Sequence, residues 1–246
     1  MIFSGTGDYY SAGVNLGGTL KLMAPKKLHQ LIVEHNQSLF DKYLTFPKPI
    51  LVAVNGPAIG ASVTSATLCD AIIAANTSTF STPFAALGIT PEGCSSVQFA
   101  TLMGEKNAQR MLKKEGWRPN AQEALTAGLV QWVVPKDQLQ AQAQKITQQW
   151  VIDGRRRKIL GGIALSELQA VNKRESIELA NRFFGAEFLR GQFTFLWRKK
   201  KHLPSMVFLL LWLLRPLWKR FYDTNISFQS HARLRLVIVN IILNRP

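Results

Sequence analysis

The chain has 246 residues, 47% of them hydrophobic, which is material for one large domain or for one domain with an appendage. Its two cysteines, Cys69 and Cys94, and four histidines give no disulfide framework, no CxxC pair and no ligand cluster, which excludes a secreted disulfide scaffold and a structural metal site. The net charge of +15 is uneven: ten Lys/Arg face one acid in residues 198–246, and the moderately basic remainder suits an anionic small ligand without arguing for nucleic acid.

Met1–Ser4 reads as a strand that begins abruptly, with neither the basic region nor the long apolar region of a signal peptide. Lys26–Thr45 has helical spacing, with Leu28, Leu31, Ile32, Leu39 and Phe40 broadly on one side, and "FPKP" stops it. Ile50–Val54, "ILVAV", is a fully apolar run of strand length followed by turn residues Asn55-Gly56-Pro57. Ala61–Leu68 reads as a small-residue helix, and Ala71–Ala75, "AIIAA", as a second buried strand. Helices are expected at Ser95–Leu102, Glu105–Lys114, Ala121–Ala127 and Lys136–Trp150, with a strand at Leu129–Val134. Apolar strands alternating with helices indicate parallel β-structure in an α/β fold. After "WRKKKHLP" comes an apolar stretch, Met206–Trp218, too short for a membrane span and interrupted by Arg215 and Pro216. The basic, β-branched "HARLRLVIVNIILN" follows and lacks helical amphipathicity. Residues 1–197 are therefore expected to form the domain and 198–246 a tail.

Three features carry chemistry. Ser11-Ala12-Gly13-Val14-Asn15-Leu16 follows the first strand, and Asn55-Gly56-Pro57-Ala58-Ile59-Gly60-Ala61 joins a buried strand to a helix. Each could present a backbone N–H to a common pocket, the second at a helix N-terminus that favours negative charge, and two such donors can make an oxyanion hole. By themselves such residues are more often just tight turns. The third feature is "ITPEGCSS", Ile89–Ser96. Glu92 reads as a solvated loop acid or as a proton-transfer group. Cys94 reads as a nucleophile only with a base or cation beside it, and no histidine is near in sequence. Ser95 and Ser96 resemble a helix N-cap, and Cys69 a packed core residue.

In order, "GTGDYYSAGVNL", "FPKPILVAVNGPAIG", "CDA" and "FSTPFAALGITPEGCSS" resemble the motifs of the crotonase superfamily, the enoyl-CoA hydratase/isomerase fold, over roughly residues 1–195. Within it, "NGPAIG" and "PEGCSS" are most similar to the Δ3,Δ2-enoyl-CoA isomerases of peroxisomal type. The resemblance implies a spiral of β-β-α units with C-terminal helices, N-terminally incomplete here because family domains start some tens of residues earlier. It implies oxyanion N–H groups at Val14 and Ala61, and a proton-shuttling carboxylate at Glu92 in an apolar pocket bordered by Phe84, Leu87 and Ile89. It implies substrate contacts at Ser11, Ala12, Gly13, Asn15, Leu16, Gly60, Phe84 and Leu87. Asn15 replaces a common aspartate. The two carboxylates of family hydratases fall at Thr64 and Phe84, which cannot move a proton as hydration requires.

The implied activity is isomerisation of 3-enoyl-CoA to trans-2-enoyl-CoA in fatty-acid β-oxidation, with no metal and no cofactor beyond the CoA of the substrate. The implied partners are an acyl-CoA substrate and further copies of the chain, a trimer in the family, but not nucleic acid. The implied compartment is the peroxisome, with the mitochondrion as alternative, although the chain ends Asn-Arg-Pro rather than in a Ser-Lys-Leu-type tripeptide. "DGRRRK", Asp153–Lys158, is a candidate to meet CoA phosphates. The alternative function is an inactive acyl-CoA-binding or membrane-associated variant, and contact of the tail with a membrane surface is the less favoured reading.

Overall fold

The two apolar runs are apolar throughout because both of their faces are covered. Strand β2 (Leu51–Val54) sends Val52 and Val54 into one core cluster and Leu51 and Ala53 into another. Strand β4 (Ala71–Ala75) does the same, with Ile72 and Ala74 on one side and Ile73 and Ala75 on the other. This is the pattern of a parallel sheet between helical layers. The computed structural model describes residues 1–14 and 24–218. Asn15, Leu16 and the stretch "HARLRLVIVNIILN" lie outside the described residues.

Strand β1 (Ile2–Ser4) pairs in parallel with β2, β2 with β4, and β4 with β6 (Trp132–Val134), giving the order β1-β2-β4-β6. A second, two-stranded parallel sheet joins β3 (Ala58–Ile59) to β5 (Phe80–Ser81). The chain therefore repeats a unit: a long buried strand, a short strand in the second sheet, then a helix. In the first repeat the helix is α2 (Ala61–Thr67), and in the next it is the one-turn α3 (Phe84–Leu87). This is the expected β-β-α spiral. The short strands β3 and β5 are too brief to show a period in sequence.

Helix α1 (Pro25–Leu44) precedes β2. After α3 come α4 (Ser95–Leu112), α5 (Ala121–Ala127), α6 (Leu139–Ile152), α7 (Leu165–Phe183) and α8 (Ala186–Arg198). The two helices expected at 95–102 and 105–114 are both present as the two arms of α4, separated at Gly104, whose φ of 75° and ψ of 156° are not helical. The expected Lys136–Trp150 helix opens instead with a 3₁₀ turn at Lys136–Gln138. The strand expected from Leu129 begins only at Trp132, because Leu129 and Val130 turn inward from α5 into the core. Asn120 caps α5 through a reciprocal box with Glu123, at 2.9 and 2.8 Å.

Helix α7 packs along α1. Asn172 donates from Nδ2 to the Gln37 carbonyl and to Asp41 Oδ1, both at 2.9 Å, and Asn36 donates to Ser176 Oγ at 3.2 Å. Asn172 and Ser176 are fully buried, so these bonds satisfy polar groups that would otherwise cost stability.

The chain divides into one compact unit of Met1–Gln192 and a second that begins at Phe193. In the second, α8 ends at Arg198, Lys200 turns the backbone at φ 57°, and α9 (His202–Leu213) follows. Ser205 Oγ donates to the Phe193 carbonyl at 2.8 Å, and the Trp197 and His202 rings meet edge to face at 4.7 Å. The apolar segment read as too short for a membrane span thus contains a regular helix.

Candidate active site

The two small-residue turns lie side by side. Tyr10 and Ser11 donate their N–H groups to the Pro57 carbonyl at 3.1 and 3.2 Å, and Ile59 N–H returns to the Ser11 carbonyl at 3.1 Å. Ser11 bridges Ala58 in parallel. Close approach explains the glycines. A Cβ on Gly56 would stand 1.9 Å from the Asp8 carbonyl oxygen, and Gly13 lies against Ile59.

Gly60, at φ 69°, is the N-cap of α2. Its own N–H is taken by the Ser81 carbonyl at 2.8 Å, so Ala61 supplies the first N–H inside the helix, which has no intrahelical acceptor. The donor therefore sits where the helix dipole is positive. Gly60 and Ala61 are half-buried, whereas Val14 is 63% exposed. Ser11 Oγ accepts the Gly13 N–H at 3.3 Å and shapes the first turn.

Glu92 stands just before a turn of unusual backbone. Gly93 and Cys94 both take left-handed conformations, at φ 66° and 62°. A Cβ on Gly93 would meet Phe40 at 2.5 Å and Thr64 Oγ1 at 2.6 Å, which places the turn directly on α1 and α2. Thr64 is one turn along α2 from Ala61. Ser95 Oγ and Ser95 N–H both donate to the Glu92 carbonyl, at 2.7 and 3.3 Å. The Glu92 side chain is half-buried, and loss of water around its carboxyl raises its pKa to about 7, with Glu175 adding in the same direction. A carboxyl poised there can both accept and return a proton near neutral pH.

Glu175 has no signature in the sequence. Buried on α7, it accepts the Cys94 N–H at 2.6 Å and the Ser96 N–H at 2.9 Å. It satisfies the exposed donors at the start of α4, the role expected of Ser95 and Ser96. Neither serine side chain caps: the N-cap position is Cys94, without a side-chain bond. The signal that could have found Glu175 is the only charged residue in a buried helical stripe with Leu168, Val171, Asn172, Ser176, Leu179 and Ala180. Its own pKa is raised, by burial first, against the lowering effect of its bonds to Ser96 and Cys94.

Cys94 is no nucleophile. Its thiol is fully buried, donates to the Leu168 carbonyl at 3.2 Å, and is pushed up to about 12 by burial and then by Glu175 and Asp41. Cys69 is likewise buried and raised to about 12. Phe84, the first residue of α3, is fully buried, while Leu87 is half-buried on the same turn. Thr64 turns its hydroxyl to the Ala61 carbonyl at 3.2 Å. No group of three or more His, Cys, Asp or Glu side chains among the described residues could hold a metal ion.

The basic run at 155–157 divides. Arg157 turns inward to Asp70, and Arg155 lies over the Trp150 ring at 4.1 Å. Arg157 is thereby engaged in the core rather than offered to a phosphate. Lys113, Lys114 and Arg118 border a cavity of about 140 Å³ with Thr82, Pro83 and Ala85.

Residues 1–183 match the enoyl-CoA hydratase/isomerase family. Enoyl-CoA delta isomerase 2 of Rattus norvegicus is 32% identical over 220 residues, which is 81% of this chain and 52% of that protein. Enoyl-CoA delta isomerase 3, peroxisomal, of Mus musculus is 38% identical over 138 residues, 55% of this chain and 43% of that protein. The chain thus spans about half the length of the curated relatives it matches. The crystal structure of an enoyl-CoA hydratase/isomerase from Pseudoalteromonas atlantica is 28% identical with a TM-score of 0.60, covering 81% of this chain and 78% of the other.

Proposed function

The chain belongs to the enoyl-CoA hydratase/isomerase family, and we propose that it moves the double bond of a 3-enoyl-CoA thioester to the 2-position. Glu92 takes a proton from C2 of the substrate. The electrons spread over a dienolate whose negative charge rests on the thioester oxygen, and the same carboxyl returns a proton at C4. Val14 N–H and Ala61 N–H stabilise the oxygen, where preorganised donors can supply the largest single part of the rate enhancement. The reaction moves one proton and one double bond, so this reading needs no metal and no cofactor beyond the CoA of the substrate.

The observation that carries the reading is the setting of Glu92: a carboxyl raised to about 7, followed by a left-handed turn whose Gly93 lies against Thr64 of α2, itself one helical turn from Ala61. Thr64 and Phe84 stand where the resemblance places hydratase acids, which argues against water addition. The names of the rat and mouse relatives support isomerisation over other chemistry of the family. By the mouse relative's name we assign the reaction to the peroxisome, with the mitochondrion as alternative, and by the family resemblance we extend fatty-acid β-oxidation and a trimer to this chain as part of the same proposal.

The test is the appearance of conjugated-thioester absorbance when purified protein meets a trans-3-enoyl-CoA. Glu92→Gln should lower kcat by about 10²–10⁴-fold with the fold intact. A parent that turns over and a variant that matches it would remove Glu92 from the mechanism. A second reading, acyl-CoA binding without turnover, is favoured by the exposure of Val14, because a donor in open water stabilises an enolate less. Its signature in the same assay is saturable binding with no absorbance change.

A further inference from the structure

Helix α9 wears its apolar side outward. Leu203, Met206, Val207 and Leu210 follow the spacing i, i+3, i+4, i+7 of one helix stripe and are 38–81% exposed, and Leu214 at the C-cap and Leu217 just beyond it are 41% and 62% exposed. The polar Ser205 is on the other side, fully buried, with its hydroxyl on the Phe193 carbonyl. A water-facing helix normally shows the reverse pattern, and a contiguous apolar stripe of this size marks a contact surface.

The charge around it points to the kind of partner. Arg198, Lys199, Lys200 and Lys201 are all exposed at the turn before α9, beside the half-exposed Trp197. Residues 193–218 contain no Asp or Glu. Apolar leucines next to lysines, arginine and an interfacial tryptophan are the complement of an anionic lipid surface, where acyl chains meet phosphate and carboxylate headgroups. Twelve helical residues reach about 18 Å, against roughly 30 Å of hydrocarbon. No described helix is long and apolar enough to cross a membrane. A helix of this length can lie along a bilayer surface but is too short to span one. A two-fold pairing of this face with its own copy fits less well, since it would bring two basic turns together.

We propose that the outward face of α9 and the basic turn before it dock the protein onto an anionic lipid bilayer. This goes beyond the reaction proposed for Glu92 and is independent of it. The test is co-sedimentation of the full chain with phosphatidylcholine vesicles, and with vesicles in which about a third of the lipid is phosphatidylserine. Binding should be stronger on the anionic vesicles by on the order of tenfold and should weaken as salt is raised. The combined variant Leu210→Glu, Leu214→Glu should lose binding to both vesicles. Should that variant misfold by circular dichroism, the combined variant Lys199→Glu, Lys200→Glu, Lys201→Glu decides alone, because it leaves the helix face untouched and should bring anionic binding down to the neutral level. Equal sedimentation on neutral and anionic vesicles, or none on either, overturns the proposal. A concentration-dependent oligomer that disappears in Leu210→Glu, Leu214→Glu, without vesicle binding, would also overturn it and give the face to a second copy.

Discussion

Glu92 pays for its readiness with stability. Its carboxyl titrates at 4.5 when free and at about 7 in the fold, chiefly through burial. The folded chain therefore holds this proton more tightly than the unfolded chain does. Below about pH 4.5 both states are protonated and nothing is lost. Between 4.5 and 7 the unfolded state ionises first, and folding stability falls by up to roughly 3 kcal/mol, a plateau above pH 7. Glutamine is neutral throughout and escapes this penalty. Glu92→Gln should therefore gain on the parent as pH rises, by up to roughly 3 kcal/mol between pH 4.5 and pH 8 in urea unfolding. A gap between the two proteins that stays constant over this range would mean that Glu92 is not desolvated in the fold. The acid limb of the isomerisation profile should fall near the same pH, because only the ionised carboxyl takes a proton.

The turn that aims Glu92 is held between elements, which is why only part of it was legible. "PEGCSS" marked the turn and "NGPAIG" the start of α2, since glycine and proline leave local signals that survive in sequence. The buried strands were equally plain, because two covered faces demand unbroken apolar runs. The short strands β3 and β5 carry no period, and Glu175 acts over a chain separation of some eighty residues, so no window of sequence joins it to α4. Its removal is informative at this scale. Glu175→Gln keeps the size but leaves one of the two α4 N–H groups facing an amide donor, which should cost about 1–3 kcal/mol. It also removes a negative charge that raises Glu92, so the acid limb of the isomerisation profile should move to lower pH. Arg174 on α7 and Asp41 on α1 are the other charged groups around Glu175 and Cys94, and both are unchanged in the variant. A destabilised variant whose acid limb stays in place would make Glu175 a cap and nothing more.

Across the whole first unit, one buried ion pair joins segments that meet nowhere else in sequence. Asp70, in the turn between α2 and β4, accepts the Ile50 N–H at 2.8 Å and the Lys158 N–H at 2.5 Å, and it pairs with Arg157. Arg157 donates further to the carbonyls of Tyr43 and Leu68, at 3.0 and 2.6 Å. The end of α1, the entry to β2, the end of α2 and the segment after α6 are thereby tied at one point. "CDA" was visible as a motif and "DGRRRK" as a charge run, but their partnership was not, because a run of like charges usually marks a solvated face. Buried pairs of this kind add little over an apolar replacement, yet breaking one side is costly, since the other is left charged in the core. Asp70→Asn should destabilise the chain by about 3–5 kcal/mol. It turns an amide towards backbone donors and leaves Arg157 without its counter-ion. Arg157→Met combined with Asp70→Asn should recover part of that loss, a coupling that thermal unfolding of the two single variants and the double variant measures directly. Strict additivity would show that Asp70 acts through its backbone bonds alone, and that the inward turn of Arg157 follows from the fold without helping to hold it.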